Sequence, residues 1–510
     1  MRLFLFAIGG TGARTLKSLT MLAMAGVRPV CDDCTPLNDF ELVPVIIDPH
    51  RAGEDIKRTE ALLADYRQTR EALYGDRRDA EGFFAMRISS LRDIAGTGVA
   101  SRLPAGYAMN LSAVENRQFS DFIGYDTMSE PNQALTDLLF APYQKANKMN
   151  IGFVGSPNIG AVALNEIKDT PEFKAFAGVF RPGDRIFFVS SIFGGTGAAG
   201  FPIMVKNIRQ AASLDGTDNR DALARAPIGG LTVLPYFTLE QSKQDDRIAT
   251  ADFVVKTQSA LHYYNTALTG ERDSQVNAIF YLGDQVRSLP YRYDPGEHGQ
   301  RNNAHLIELV GALAVLKFAA LPNDRLMDAD GEPLPRTAAF EYALEQDANI
   351  IHFAQLVAPT RRLLYKPLTA LYHLRLFLHD GFESLIGQGF TLDKPRLTGD
   401  LIASQFYRTV KGPLLDSYAE WLAEMDDNSR SVQLFARDVP EGDMTHAVRG
   451  VEPKRGLLRP KSVTIATYKA AMNALTVNPD AYAAATPEQK LMDLFYRAAM
   501  RVIDSNLEAT

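Results

Sequence analysis

Cysteine is scarce in this 510-residue chain, which has only Cys31 and Cys34, in a C-x-x-C spacing. Two cysteines cannot form a disulfide-rich scaffold, and a structural zinc site usually needs four Cys or His ligands. Asp32 and Asp33 lie between them and Pro36 follows, which is typical of a loop rather than of the helix in a thioredoxin-like redox site. We interpret the pair as coincidental in a reduced protein.

The sequence also lacks a secretory signal, a membrane segment and a basic character. The N-terminal segment MRLFLFAIGG reaches glycine after eight residues and has no small-residue cleavage site. The longest apolar stretch, 306–321, contains Glu308 and Lys317 and is short for a membrane span. The net charge of −7 excludes a global basic field. We expect a cytoplasmic protein, with neither nucleic acid nor membrane as a partner.

The remaining composition is that of an ordinary globular protein. Apolar residues make up 46% and charged residues 23% of the chain, and the 37 glycines and 27 prolines are an average share. This composition excludes collagen-like and wholly disordered proteins. The length is sufficient for two or three domains.

Apolar runs alternate with helical patterns in the first 330 residues. We predict strands at 2–8, 42–47, 151–154, 185–192, 231–237 and 276–282. We predict helices at 13–25, 202–212, 247–266 and 303–321. Such alternation indicates an α/β fold with a Rossmann-like, mainly parallel sheet that is covered on both faces.

The pattern also suggests where the domains divide. We predict an N-terminal α/β domain over 1–320, with an insertion at about 51–149, and a helix-rich C-terminal domain over 321–510. Amphipathic helical stretches, for example 360–380 and 486–506, dominate the second part. The insertion and the C-terminal helices are the candidate surfaces for protein partners.

Two glycine-rich segments each lie between a predicted strand and a predicted helix. They are Gly9-Gly10-Thr11-Gly12 and Gly194-Gly195-Thr196-Gly197. Glycines let backbone N–H groups approach an anion, and the following helix contributes the positive end of its dipole. The first segment matches neither the P-loop pattern nor G-x-G-x-x-G. Together they predict two phosphate-binding glycine loops; the alternative is that the glycines allow close helix–strand packing.

The segment 155–209 resembles the core of the tubulin/FtsZ superfamily. It contains Gly155-Ser156-Pro157-Asn158-Ile159-Gly160, the strand RIFFVSSI and the run FGGTGAAG, which is similar to the family signature G-G-G-T-G-[TS]-G. Phe193 stands at the first signature glycine, and Ala198 or Ala199 stands at the usual Thr or Ser. The resemblance covers about 1–60 and 150–330. It implies a long central helix from about Asn303, with GTP or GDP and Mg²⁺ as ligands.

The resemblance also implies a nucleotide-binding site. The phosphate contacts would come from Gly9, Gly10, Thr11, Gly12, Gly155, Ser156, Asn158, Gly194, Gly195, Thr196 and Gly197. The base would be contacted by Arg14, Asp284 and Asn303. Asp48 would hold Mg²⁺ directly or through water; the alternatives are a turn residue at Asp48 and a helix N-cap at Asn303. Arg14 and Gly283 stand where bacterial members have Asn, so the choice between GTP and ATP stays open.

A loop after the central helix contains the candidate catalytic residues. The family has N-x-D-x-x-[DE] there, and this chain has Asn323, Asp324, Arg325 and Asp328. A carboxylate is needed to orient or deprotonate the attacking water. Asp328 is the first candidate and Asp324 the second; the alternative is ordinary turn chemistry. In the family this loop acts on the nucleotide of the neighbouring subunit, which implies a head-to-tail filament of identical chains.

Three functions therefore compete. The first is a tubulin-like GTPase that polymerises and hydrolyses GTP at the subunit interface. The second is a nucleotide-binding scaffold subunit of a multi-protein bacterial system, in defence for example, which does not hydrolyse. The third is an NAD-dependent oxidoreductase of Rossmann type, in which Asp48 would bind the ribose and the second glycine segment would have no role.

Overall fold

The computed structural model describes the chain except for residues 33–34, 38, 52, 112–113, 115–116, 150–152, 154–155, 211–218, 238–249, 271–273, 285–301, 342–347, 441, 457–459, 478–483 and 510. Its centre is a sheet of seven strands in the order β3-β2-β1-β4-β5-β6-β7, and every pair of neighbours is parallel. The strands are β1 Arg2–Ile8, β2 Glu41–Ile47, β3 Arg87–Ile88, β4 Arg185–Ser191, β5 Ile228–Val233, β6 Ala278–Leu282 and β7 Ala338–Glu341. Two small pairs lie elsewhere: β8 Ile350–Ile351 with β9 Ser431–Val432, and β10 Val451–Pro453 with β11 Leu507–Ala509.

Helices connect and flank the strands. In chain order they are α1 Gly9–Met24, α2 Glu54–Tyr74, α3 Leu91–Ile94, α4 Thr97–Ala100, α5 Phe119–Phe122, α6 Glu130–Leu139, α7 Pro142–Lys145, α8 Pro157–Leu164, α9 Pro171–Val179, α10 Gly195–Arg209, α11 Arg220–Ala224, α12 Thr250–Ala267, α13 Leu306–Ala320, α14 Ala358–Asp380, α15 Gly399–Ala403, α16 Gln405–Thr409, α17 Leu415–Asp426, α18 Ile465–Thr476 and α19 Pro487–Asn506. Short 3₁₀ turns include Asn323–Arg325, and a π-helical turn at Val410–Leu414 precedes α17.

The predicted α/β fold with a Rossmann-like parallel sheet is confirmed. β1, β2 and β4 are almost fully buried, as expected for apolar strands that are covered on both faces. β3 and β7 were not predicted, and β7 shows that the sheet includes residues beyond 320. The strand predicted at 151–154 falls almost entirely outside the described residues.

The strand order reverses between β1 and β4. β1 pairs with β2 on one side and with β4 on the other, from Leu3 opposite Arg185 to Ala7 opposite Val189. We call the edge at which the parallel strands end the carboxyl edge and the edge at which they begin the amino edge. In open α/β sheets, the carboxyl edge at such a reversal is the usual position of a ligand site.

The central helix α13 begins three residues later than predicted, because His305 caps it. The His305 Nδ1 accepts a hydrogen bond from the Ile307 N–H at 3.1 Å, and Glu308 accepts one from the His305 N–H at 2.9 Å. Gly311 allows α13 to pack closely, since a Cβ there would lie 2.9 Å from Leu231 and 3.0 Å from Thr15. Among the described residues, no helix combines the length and apolar character that crossing a bilayer requires.

Helices from the last third of the chain pack against α1 and α2. The buried Trp421 of α17 donates a hydrogen bond to the Ser18 hydroxyl at 3.0 Å. Glu424, one turn further on, pairs with Lys17 at 3.3 Å and with Arg58. The apolar core is correspondingly continuous from β1 to α19.

Candidate functional site

Both glycine-rich segments form the first turn of a helix rather than a separate loop. α1 begins at Gly9 directly after β1, and α10 begins at Gly195 shortly after β4. Gly9 has a φ of +73°, which favours glycine. A Cβ on Gly9 would lie 3.8 Å from the Thr196 Cβ and 3.9 Å from the Gly197 nitrogen. The two segments therefore touch at the carboxyl edge, where the strand order reverses.

A third helix begins at the same place. A Cβ on Gly160, in the first turns of α8, would lie 2.7 Å from the Gly195 carbonyl oxygen. Ser156 is the buried N-cap residue of α8, and Asn158 is exposed in its first turn. Gln144 donates to the Ser156 hydroxyl at 3.2 Å and to the Asn158 Oδ1 at 3.3 Å. Gly155 lies outside the described residues.

The three helix ends share an electrostatic property. Within the described ranges, the N-cap residues Ile8, Ser156 and Gly194 make no side-chain hydrogen bond to the first turn that follows them. The first turns contain no acidic residue either. In α8 the Asn158 Oδ1 accepts a hydrogen bond from the Ile159 N–H at 3.0 Å. The positive dipole ends of three helices thus converge with no acidic residue in their first turns, which is an arrangement that favours anions.

Several of the glycines have a packing reason as well. A Cβ on Gly12 would lie 2.5 Å from the Ala7 carbonyl carbon, and one on Gly197 would lie 2.7 Å from the Ser191 carbonyl oxygen. A Cβ on Gly194 would lie 2.9 Å from the Ser191 hydroxyl, whereas one on Gly10 would make ordinary contacts. Close helix–strand packing accounts for Gly12 and Gly197, so these glycines do not by themselves indicate an anion site, whereas the helix ends do.

Arg14 lies behind the first glycine segment in a buried network of charges. Its Nε donates to Glu308 at 2.5 Å, its Nη1 to Asp55 at 2.8 Å and its Nη2 to the Tyr236 hydroxyl at 3.1 Å. Asp55 also accepts from Asn302, at 3.4 Å from the side chain. Arg14 therefore ties α1 to α13, to α2 and to the segment after β5, through contacts with protein groups.

Burial and charge act against each other in this network. Burial lowers the pKa of Arg14, but Tyr236, Glu308 and Asp55 outweigh it and raise the pKa well above its ordinary value. Burial raises the pKa of Glu308, and Arg14 opposes this rise without cancelling it. Burial lowers the pKa of His305 to about 4, so its ring is neutral near pH 7.

The network continues to the C-terminal helices. Glu424 of α17 accepts a hydrogen bond from the Ala304 N–H at 3.2 Å, immediately before α13. Asp55, Tyr236, Glu308 and Glu424 were not among the predicted site residues. The one signal in the sequence was Glu308, a carboxylate near the start of a largely apolar helix.

Asp48, the predicted metal ligand, directly follows β2 at the carboxyl edge. Its Oδ1 accepts a hydrogen bond from the His50 N–H at 2.8 Å. Burial raises the pKa of Asp48 to about 7, and the charge of Asp55 adds to the effect. A Cβ on Gly10 would lie 3.8 Å from the Asp55 Oδ2. In the described part of the chain no group of three His, Cys, Asp or Glu residues is placed to hold a metal, but Mg²⁺ bound to phosphates needs only one or two carboxylates.

Two of the predicted base contacts, Asp284 and Asn303, lie in different parts of the structure. Asp284 follows β6 and forms a bidentate pair with Arg430, at 2.6 and 2.8 Å, beside a cavity of about 240 Å³ between α13 and α14. Asn303 is exposed, and its neighbour Asn302 contacts Asp55. Asn303 therefore lies near the first glycine segment, whereas Asp284 is held in an ion pair.

The candidate catalytic loop lies at the opposite edge of the sheet. Asn323 accepts a hydrogen bond from Arg185, the first residue of β4, at 2.8 Å. Asp324 and Asp328 are exposed, and the Asp328 Oδ1 accepts from the N–H groups of Asp330 and Glu332, each at 2.9 Å. A strand of seven residues is roughly 20 Å long. Within one chain, these carboxylates cannot reach an anion at the glycine segments.

A scan against models of protein families finds no match for the chain, and a search of curated proteins finds no matching sequence. The fold defines an α/β protein with a Rossmann-like parallel sheet.

Proposed function

We propose that this chain is a tubulin-like protein that binds GTP and GDP with Mg²⁺, assembles head to tail and hydrolyses GTP between subunits. One observation carries the proposal: α1, α8 and α10 begin close together at the carboxyl edge next to β1 and β4, with no bond from an N-cap side chain and no acidic residue in their first turns. Each helix N-terminus corresponds to about half a positive charge, so three together favour a polyanion over a single carboxylate.

The surrounding side chains fit a phosphate chain with a divalent cation. Asp55, which lies next to Gly10, and Asp48, on which the charge of Asp55 acts, offer the hard oxygen ligands that Mg²⁺ prefers. When bound there, Mg²⁺ would neutralise phosphate charge and thus remove the repulsion between the phosphates and these two carboxylates. The hydroxyls of Thr11 and Thr196 belong to the first turns of α1 and α10 and are donors to phosphate oxygens.

The distance between the two edges supports hydrolysis in trans. A second copy in the same orientation would bring its 323–328 loop to the glycine segments of the first copy, as a heterologous contact requires. There Asp328, or Asp324, would accept a proton from water while the water oxygen attacks the γ-phosphorus. The bond from that phosphorus to the β–γ bridging oxygen breaks, which leaves GDP, inorganic phosphate and a proton.

A non-hydrolysing scaffold is the second candidate, and the loop itself favours it. The Asp328 carboxylate already accepts two backbone hydrogen bonds from its own turn. Its Oδ1 is thus already engaged within the chain's own turn rather than directed at a water molecule. In this second proposed function, the chain binds nucleotide and assembles or recruits partners without hydrolysing the nucleotide.

The strand order keeps a dinucleotide-binding oxidoreductase as the third candidate. The order β3-β2-β1-β4-β5-β6 is that of dinucleotide-binding sheets, and Asp48 follows β2, where such proteins bind the ribose. The N-terminus of α8 has no function in that interpretation. Titration with NADH, followed by its fluorescence, separates this candidate from the other two.

Nucleotide binding is tested with two variants of Thr196. Thr196→Glu adds a carboxylate to the first turn of α10, where a negative charge favours the helix but repels phosphate. We expect it to weaken binding of a fluorescent GTP analogue at least tenfold, while Thr196→Ser, the matched control, stays within about threefold of the native chain. Equal binding by Thr196→Glu and the native chain would contradict the phosphate site.

Hydrolysis is tested by GTP and ATP turnover at several protein concentrations, with sedimentation in parallel. A site shared between subunits predicts turnover that rises faster than linearly with protein and accompanies polymer. Asp328→Asn retains an Oδ1 acceptor for the loop but removes the carboxylate, so it should abolish turnover and leave binding intact. Tight binding with negligible turnover by the native chain would support the scaffold instead.

A further inference from the structure

Arg185 is a buried cation at the start of β4, close to the 323–328 loop. Its side chain is almost inaccessible, and burial lowers its pKa to about 10. Among the ion pairs of the described residues none includes Arg185. Burial of a guanidinium without a carboxylate is unfavourable unless its N–H groups are hydrogen-bonded. The contacts of Arg185 therefore indicate what its burial achieves.

The guanidinium joins the end of the central helix to the loop. Nη1 donates to the carbonyl oxygens of Phe318 and Ala319, at 2.8 and 3.2 Å, which are near the C-terminus of α13. Nη2 donates to the Asn323 Oδ1 at 2.8 Å. The same guanidinium lies 5.9 Å from the centre of the Phe318 ring. One planar group therefore fixes the direction in which the chain leaves α13.

The contact also fixes the orientation of an exposed amide. Asn323 is exposed, and because its Oδ1 accepts from Arg185, the NH₂ group of the same planar amide has a fixed direction. A second anchor holds the loop three residues later, where the Asn277 side chain donates to the Leu326 carbonyl oxygen at 2.7 Å. Between these anchors the loop presents amide donors and the carboxylate of Asp324 at the amino edge.

We propose that Arg185 is the positioning residue of the 323–328 loop: it holds Asn323 so that its amide donors, and the carboxylates beside it, face the nucleotide of the next copy. This inference rests on the proposed function. It assigns to Arg185 no contact with the nucleotide, only control of the residues that meet it. Lysine cannot replace it, since a single ammonium cannot span the α13 carbonyls and Asn323 in one fixed plane.

The test compares Arg185→Met and Arg185→Lys with the native chain and with Arg2→Met. Arg2 is a matched control, because this arginine also begins a strand at the amino edge and is partly buried there, but it contacts Asp184 and Val179 instead of the loop. We expect both Arg185 variants to lower kcat at least tenfold, with the affinity for the GTP analogue unchanged. Arg2→Met should change stability without lowering kcat. Hydrogen exchange in 321–334 should become faster only in the Arg185 variants.

Mixing of variants separates a positioning role from a general loss of structure. We expect Thr196→Glu to bind nucleotide at least tenfold more weakly but to keep an intact loop, and Arg185→Met to bind nucleotide but to have a misplaced loop. An equimolar mixture should recover turnover, because the intact loop of one meets the nucleotide of the other. If Arg185→Met does not fold, Asn323→Ala removes the acceptor from an exposed position and should give the same loss and the same recovery.

The outcomes are distinguishable. Absence of turnover in the native chain would overturn the proposed function and this inference with it. Native turnover together with unchanged kcat in the Arg185 and Asn323 variants would overturn the inference alone. Loss of kcat without recovery in the mixture would also overturn it, since the defect would then not be confined to the loop.

Discussion

Replacement of Arg14 by Met tests the buried charge network. Met has a similar length but no charge, so Glu308 and Asp55 would remain buried without their shared cation. Removing one partner of a buried ion pair costs about 3–5 kcal/mol. With an unfolding entropy of roughly 2.1 cal/mol/K per residue, a 510-residue chain that unfolds as one unit loses about 1 °C per kcal/mol. The expected decrease in Tm is therefore about 3–5 °C near neutral pH.

The penalty should depend on pH in a defined direction. Burial already raises the pKa of Glu308 in the folded state, and Arg14 is the group that opposes this rise. Without Arg14 the folded state prefers the protonated carboxyl still more. An acid with a raised folded pKa loses stability as pH rises from its unfolded value, about 4.5, through the folded value. The penalty of Arg14→Met should therefore be smaller at pH 5 than at pH 8.

The chain contains its own probe for this measurement. Trp421 is the single tryptophan, and it contacts Ser18, one turn along α1 from Arg14. Its emission should shift to the red when α17 separates from α1. The control is Arg225→Met, which removes an exposed pair with Glu332 and should cost less than about 1 kcal/mol. Equal penalties for the two variants, or a penalty for Arg14→Met that is the same at both pH values, would refute the reasoning.

Two further predictions concern the carboxyl edge. Gly12→Ala places a Cβ 2.5 Å from the Ala7 carbonyl carbon and should destabilise the folded chain by at least about 2 kcal/mol. The control Gly10→Ala should leave the thermal unfolding midpoint nearly unchanged, because a Cβ there makes ordinary contacts. Similar midpoints for the two variants would contradict the packing. Asp48 has a pKa raised to about 7, so its ionisation costs stability as pH rises from about 4 to 7. Asp48→Asn should therefore match the native chain at pH 4 and exceed it at pH 8 by on the order of 2 kcal/mol; an advantage at pH 4 would contradict this.

The sequence predicted the long buried strands better than the helix starts. β1, β2 and β4 are apolar runs of ordinary strand length, so local pattern is sufficient for them. β3 has two residues and depends on its pairing with β2, which no local signal reveals. α10 was predicted to begin at Pro202 and begins at Gly195, because packing of its glycine-rich first turns against β4 outweighs their poor helix propensity.

The candidate site could be predicted from the sequence only where its residues are neighbours along the chain. Each glycine segment is readable from the chain, but the contact of Gly9 with Thr196 depends on the sheet order. Arg14 and Glu308 are 294 positions apart, and only the folded chain shows that they are partners. The function of the predicted nucleotide, metal and catalytic residues stays a prediction.

The packing of α17 on α1 has a consequence for synthesis of the protein. Ser18 is synthesised long before its partner Trp421, which is 403 positions later in the chain. At about 5–20 residues per second, the ribosome needs roughly 20–80 s to supply it. During that interval α1 carries Lys17 and Ser18 on a surface that is buried in the finished protein. This face of α1 therefore gains its partners only late in synthesis, and a fragment that ends near residue 335 would lack both Trp421 and Glu424.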